Sequence, residues 1–342
     1  MEVLDMGCRI EKLNGVKKTG SSIAYGCDDL GKLKSVLVHT PGDELALVNE
    51  SNYKHWLYDE VPDISGYIEE HRRYQALLES NGVRVYELAD HVTEKRDLIN
   101  RMPNITFLHD TAVISRKGAI LSKMRPPARE NEEVVVKEAL NNLGIPILNE
   151  FNGEEGFFEG CLLLSKETIF VADTERHTYP FIREFILNIL SEFDEVIYAR
   201  IPKARRYMHP DTVFNRIRED LALAYLPAFE ETCLFTKDSR ERIDFKEFMQ
   251  EKDMEIIPVS DSEQSRLACS FVPLESGTIF HYDIALDQDT RKSLSGEGVE
   301  IIPFHPEALL AGGGSLRCHT LRLCRRKNKI KLKKRVKAVE KA

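Results

Sequence analysis

FLHDTAVISRKGAILSKM, from Phe107 to Met124, reads as a polar lead-in, an apolar strand, a short polar turn and a second apolar strand. The same order returns along the chain. FFEGCLLLSKETIFVAD occupies Phe157 to Asp173, and MHPDTVFNRIREDLALAYL occupies Met208 to Leu226. A looser version, ACSFVPLESGTIFHYDI, runs from Ala268 to Ile284, and RCHTLRL, Arg317 to Leu323, begins a fifth that lacks its second strand. LKSVLVH, Leu33 to His39, is an apolar strand free to complete it. The two ends of the chain are therefore expected to pair and close a ring, which removes exposed sheet edges.

Helical stretches separate these hairpins. In ISGYIEEHRRYQALLESNG, Ile64, Tyr67, Ile68, His71, Tyr74, Leu77 and Leu78 fall on one face at helical period, and Asn81-Gly82 supplies a C-cap. ENEEVVVKEALNNLG ends in the same way at Gly144 and leads to the apolar strand IPIL. TYPFIREFILNILSEF precedes EVIYARIP, and FKEFMQEKD precedes EIIPV. Hairpin, helix and strand thus recur about every 50 to 60 residues, near the period of repeat architectures. The expected fold is α/β: a five-bladed pseudo-symmetric α/β propeller of repeated ββαβ units over residues 1–325, with a basic tail at 326–342. An α+β domain with coincidental repetition is the alternative.

The 342 residues are 42% apolar and 30% charged, enough for a sizeable core. No run approaches the roughly 18 apolar residues of a membrane helix, and no basic segment followed by an apolar one marks a secretory signal. Seven cysteines are scattered without CxxC or Cys/His ligand spacing. A disulfide framework, a zinc site and any cofactor are therefore not expected, and a reducing cytoplasm fits. The net charge of −8 hides a basic end, LCRRKNKIKLKKRVKAVEKA, with about ten positive charges and one acid. Such a tail is either solvated or touches an acidic partner. Homo-oligomers remain open.

In a pseudo-symmetric ring, equivalent positions of each unit point to one cleft. The lead-in positions are Asp110, Glu159, His209 with Asp211, and Cys318. Cys318 follows AGGGSLR and is expected to open the strand after it, and three glycines let backbone approach a ligand closely. A thiol is the best side-chain nucleophile near neutral pH once its pKa falls, which Arg317 or a cationic substrate could bring about. A buried core thiol is the usual alternative. His209 has the pKa range of a general acid or base, and in a strand it would share a face with Asp211. His-Pro-Asp is equally the composition of a surface turn. Asp110 and Glu159 stand at the ends of apolar strands, either solvated or paired with cations. Two carboxylates in one cleft would clamp a planar guanidinium in bidentate fashion, which favours arginine-like substrates over simple amines.

At these residues the chain resembles the arginine deiminase family of guanidine-modifying enzymes, which includes dimethylarginine hydrolases and amidinotransferases. RMPNITFLHD, MRPPARENE, FFEGC, ERHT, MHPDTVF and AGGGSLRCHTLRL resemble family motifs in order and spacing, from about residue 30 to 325. The family's five-bladed propeller agrees with the repeat. The resemblance implies that Cys318 is the nucleophile, His209 the general acid/base and Glu159 its orienting partner. It also implies that Asp110 and Asp211 clamp the guanidinium, while Asn104, Phe107, Arg129 and Arg176 bind the substrate or line its pocket. No metal or other cofactor is implied. Departures are Cys161 and Leu162 in the Glu-Gly-Gly-Asp motif, His109 where arginine is usual, and no arginine in the glycine loop.

The expected reaction is hydrolysis of arginine or an arginine derivative to citrulline and ammonia through a Cys318 thiouronium. An amidinotransferase and a dimethylarginine hydrolase are the rival enzymes. A non-catalytic arginine-binding protein is the rival of another class.

Overall fold

The computed structural model describes residues 22–151 and 156–326. The basic tail from 327 onward lies outside the described residues.

Five separate sheets are present among them, and four repeat one plan. In the first, Ala112–Ser115 and Gly118–Leu121 form an antiparallel hairpin. The helix Glu132–Asn142 then returns the chain to Ile147–Asn149, parallel to the second strand. Leu162–Leu163 and Thr168–Asp173, with the helix Tyr179–Ile189 and the strand Glu195–Arg200, repeat this order. So do Phe214–Arg218 and Leu221–Ala224, with Phe245–Glu251 and Glu255–Pro258. Val272–Glu275 and Thr278–Tyr282, with Gln288–Gly296 and Glu300–Phe304, make the fourth.

The fifth sheet joins the chain's two ends, as expected. Leu321–Arg326 pairs antiparallel with Lys32–Val38, which runs parallel to Arg84–Glu87 after the helix Ile64–Ser80. This strand extends to Arg326, one residue past the boundary drawn from sequence.

The helices form because one face of each is apolar. Tyr179–Ile189 buries Phe181, Ile182, Phe185, Ile186 and Ile189. The Phe185 ring packs at a tilt against Phe158, centroids 4.5 Å apart, and Phe158 is one residue from Glu159. Burying such an aromatic side chain stabilises by roughly 1.5–3 kcal/mol, so this packing fixes the backbone from which Glu159 projects. The elements not anticipated include the strands Arg84–Glu87 and Glu300–Phe304, a hairpin and a helix. A hairpin, Glu231–Phe235 and Arg240–Ile243, adds to Glu195–Arg200 and makes the second sheet five-stranded. The fourth unit's helix, Gln288–Gly296, was also missed.

Candidate active site

Asp110, His209, Asp211 and Cys318 sit in turns just ahead of a strand, and Glu159 in irregular chain just ahead of its own. Asp110 lies in the 3-10 turn Leu108–Thr111, before Ala112. Glu159 lies before Leu162. His209 caps the 3-10 turn Pro210–Thr212, which carries Asp211 and precedes Phe214. Cys318 lies in a turn before Leu321. Two local expectations are corrected here. His209 and Asp211 do not share a strand face, because Pro210 fixes a helical φ at the first position of a turn. Cys318 does not open its strand, which begins three residues later. Both His209 and Asp211 reach the same cavity nonetheless.

That cavity has a volume of about 40 Å³, and Cys318, His209, Asp110 and Asp211 all line it, together with Asn104, Phe107, Arg129 and Arg176. Glu159 lies one layer back, nearly inaccessible at 1% exposure. Its Oε2 is 2.8 Å from His209 Nε2, and its Oε1 accepts from the backbone N–H of Arg125 at 2.7 Å. Arg176 Nη1 adds a third contact at 3.3 Å. Burial alone would raise the Glu159 pKa, but Arg176 and then His209 outweigh it and hold the carboxyl down at about 2. For His209, burial disfavours the imidazolium, while Asp110 and Glu159 favour it; the net shift is upward. The ring is thus gripped on both sides, with Asp110 Oδ1 3.3 Å from Nδ1.

Arg129 braces Asp110. Its Nη1 donates to Asp110 Oδ2 at 2.6 Å, its Nη2 to the Phe107 carbonyl at 3.1 Å, and both Nε and Nη2 to Glu132 Oε2. Asp110 Oδ1 remains a buried acceptor without a hydrogen-bond donor. Asp211 Oδ2 accepts from Ser270 Oγ at 2.6 Å and lies 3.4 Å from Arg317 Nε. Asn104 Nδ2 donates to the carbonyls of Trp56 at 2.8 Å and Ala128 at 3.4 Å, tying the loop before Tyr58 to the site.

The glycine run shapes the floor. Gly313 has φ +69°, in the left-handed region, and a Cβ there would stand 2.6 Å from Asp59 Oδ2. A Cβ on Gly314 would stand 2.5 Å from Phe107 Cε1 and 3.3 Å from Cys318 Cβ. Cys318 Sγ receives the Ser315 N–H at 3.4 Å, with Ser315 Oγ at 3.5 Å. Burial, then Asp110 and Asp211, push its thiol up to about 12. Arg317 does not outweigh them. That guanidinium is turned to Asp211, to His109 Nε2 at 3.2 Å and to the Phe271 carbonyl at 3.3 Å.

Sequence reasoning passed over three residues here. Ser270 occupies, in the fourth unit, the same place before the strand as Asp110, Glu159, Asp211 and Cys318 do in theirs, so the repeat register pointed to it. Ser315 and Arg205 carried no such signal. Arg205 lines the cavity at 39% side-chain exposure, and its Nη2 donates to the Leu57 carbonyl at 2.6 Å and pairs with Asp59 at 3.2 Å. Among the described residues no cluster of His, Cys, Asp and Glu could hold a metal, and no helix is long and apolar enough to cross a membrane.

Comparison with known proteins gives the family. The sequence profile of the arginine deiminase family matches residues 92–325. The chain belongs to the arginine deiminase family. An arginine deiminase of Mycoplasma capricolum subsp. capricolum is 24% identical over 87% of this chain and 96% of its own. The family likeness extends equally to YkgA of Bacillus subtilis, an uncharacterised protein, at 24% identity over 87% of this chain and 94% of that one. Among solved structures, unliganded AgrE shares the fold with a TM-score of 0.65 at 18% identity. The alignment takes in 86% of this chain and 40% of AgrE, so this family member spans about two fifths of that protein. The N-terminal domain of ArgZ, an arginine dihydrolase crystallised with its product, gives 0.62 at 17% identity, covering 84% of this chain and 96% of that one. A dimethylarginine dimethylaminohydrolase also gives 0.62, at 16% identity over 85% and 99%.

Proposed function

We propose that this protein hydrolyses the guanidinium group of arginine or a close arginine derivative, giving a ureido product and ammonia, with Cys318 as nucleophile. The reading rests chiefly on one observation: thiol, imidazole and two aspartates, drawn from three turns far apart in sequence, border a single cavity. The five sheets then stand as blades of a pseudo-symmetric propeller around that cavity, each contributing the turn ahead of its hairpin.

The chemistry follows from the contacts. Asp110 Oδ1, the buried acceptor without a donor, and Asp211 take the planar guanidinium between them. About 40 Å³ accommodates a few water-sized groups, matching the flat head of the substrate. The amino-acid end lies at the mouth, where Arg205 offers its Nε and Nη1 to a carboxylate; neither forms a hydrogen bond with a described residue. Arg129 and Arg176, on the cavity wall, hold carboxylates of the protein instead.

Guanidinium binding lets the Cys318 proton leave to solvent. The thiolate then adds to the guanidinium carbon, forming a C–S bond. His209, as imidazolium, protonates the departing nitrogen, and ammonia leaves a thiouronium on the sulfur. Neutral His209 next takes a proton from water, whose oxygen attacks the same carbon. The C–S bond breaks, the adduct's hydroxyl proton passes to the departing sulfur and restores the Cys318 thiol, the neutral ureido product is released, and His209 is again protonated. Glu159 keeps the ring in place and favours its charged form throughout.

The direct test incubates the protein with isotope-labelled L-arginine, with and without glycine or lysine, and follows products by mass spectrometry. Citrulline with ammonia supports the proposal. Ornithine with a new guanidino compound means transfer instead, and no turnover of any guanidino compound means a binding protein. Cys318→Ala, folded as judged by circular dichroism, loses at least about four decades of rate, or ~5 kcal/mol in the barrier. Residual activity within tenfold of wild type rejects the nucleophile.

A further inference from the structure

A second cavity, of about 30 Å³, shares Arg317 with the neighbourhood of the nucleophile but is lined by different residues. Four guanidinium groups border it: Arg216, Arg317, Arg322 and Arg325. Asp29 is the one carboxylate on its wall. Of the four arginines, only Arg317 has a carboxylate of a described residue within ion-pair distance, Asp211 at 3.4 Å.

The other three spend their donors on neutral groups or on none. Arg216 Nη2 donates to the Leu163 carbonyl at 3.2 Å. Arg325 donates to the carbonyls of Gly31 at 3.0 Å and of Pro273. Arg322 makes no side-chain hydrogen bond to a described residue, and its Nε is buried without an acceptor. Arg216 and Arg325 are only 7% and 6% exposed. Burial depresses both guanidinium pKa values to about 10, the sign of a charge held in an unfavourable place. Cys27, on the same wall, does not serve as counter-ion, because burial pushes its thiol up to about 12.

A buried guanidinium keeps its proton, so relief must come from negative charge, which Glu219 and Asp29 give Arg216, and Asp29 gives Arg325, only in part. Water satisfies donors but does not neutralise them. The space holds about two waters or one compact anion, and is too small for an organic phosphate. We propose that this cavity is a binding site for a single compact inorganic anion, of chloride or nitrate size, held by Arg216, Arg322 and Arg325. The site stands apart from the reaction proposed above, and its test needs no turnover.

Two measurements decide it. Crystals of the full chain soaked in bromide are expected to show an anomalous peak among these three arginines. Bromide on surface side chains alone, with only water in the cavity, overturns the assignment. In solution, the thermal unfolding midpoint is compared in sodium chloride and in sodium gluconate at equal ionic strength. For millimolar affinity the wild-type midpoint rises by about 3–5 °C at 100 mM chloride, through preferential binding to the folded state. Arg322→Gln is expected to lose most of that difference. Equal wild-type midpoints in the two salts, or a full chloride response in Arg322→Gln, refutes the site. Should that variant not fold, the bromide map and the wild-type salt comparison still give the answer.

Discussion

Cys318 is a quiet thiol that a cation should wake, and two small alkylating agents separate this from ordinary reactivity. 2-Chloroacetamidine carries a positive amidinium; 2-chloroacetamide is its neutral near-isostere with the same leaving group. With its pKa pushed up to about 12, Cys318 is almost wholly thiol at pH 7.5. A positive charge about 4 Å from the sulfur is worth ~4 kcal/mol at an effective dielectric of 20, or about three pKa units. The thiolate fraction in the amidine complex therefore rises by roughly a thousandfold. After each rate constant is divided by that for glutathione, the amidine should alkylate Cys318 about 10³ times faster than the amide. Asp211→Asn, by weakening the seat for the cation, should cut that preference at least tenfold. The readout is the pseudo-first-order rate of mass gain, with peptide mapping to place the label. A normalised preference under about threefold, or a label on another cysteine, refutes both the clamp and substrate-assisted ionisation.

Three other consequences are open to measurement. Gly314→Ala places a Cβ 2.5 Å from the Phe107 ring; overpacking of this kind costs about 1–3 kcal/mol, so the unfolding midpoint should fall, and turnover should drop at least tenfold because Cys318 Cβ is displaced too. Wild-type values for both would show that the ring has room to move. Arg205→Ala should raise KM for arginine by about 10–100-fold, the worth of a charge-assisted hydrogen bond, and leave KM for agmatine, which lacks the carboxylate, unchanged; equal changes for the two substrates would remove Arg205 from that role. Glu159 has a folded pKa near 2 against 4.5 unfolded, so it contributes stability above pH 4.5 that is lost as pH falls towards 2, about 3 kcal/mol in all; urea unfolding of wild type and Glu159→Gln at pH 6 and pH 3 should show a flatter acid limb in the variant.

The sequence carried the plan of the repeat because each hairpin buries both strands, and continuous apolar runs such as TAVIS and GAIL show this without structure. It carried the site because the polar residue ahead of each run had no reason to be there for packing. The fourth helix escaped for the opposite reason. QDTRKSLSG buries only Thr290 and Leu294, too few apolar positions to show a period. The added hairpin Glu231–Ile243 escaped because its outer strand, RERI, is largely exposed and charged and is held by pairing with a partner strand rather than by burial. The roles of Arg129 and Arg176 were not legible either. An arginine near a pocket can face the substrate or the protein's own acids, and only geometry tells which.

The charges around the sulfur form a chain whose signs alternate. Glu132 meets Arg129 at 2.7 Å, Arg129 meets Asp110 at 2.6 Å, Asp110 meets His209 at 3.3 Å, His209 meets Glu159 at 2.8 Å, and Glu159 meets Arg176 at 3.3 Å. Asp211 with Arg317 makes a separate pair. Above about pH 7, where Glu132 is ionised although burial pushes its carboxyl up to about 7, and with His209 protonated, four carboxylates face four cations, and the site is neutral while Cys318 keeps its proton. A buried site tolerates little net charge. Admitting a guanidinium adds one positive charge, and the thiol proton is the one most readily given up in return, since the other cations are each tied to a carboxylate. Neutral ligands supply no such exchange and leave the thiol protonated. On the proposed mechanism, the same burial that holds the Cys318 thiol protonated in the free protein selects for cationic substrates, because the thiolate forms only when the right charge is already beside it.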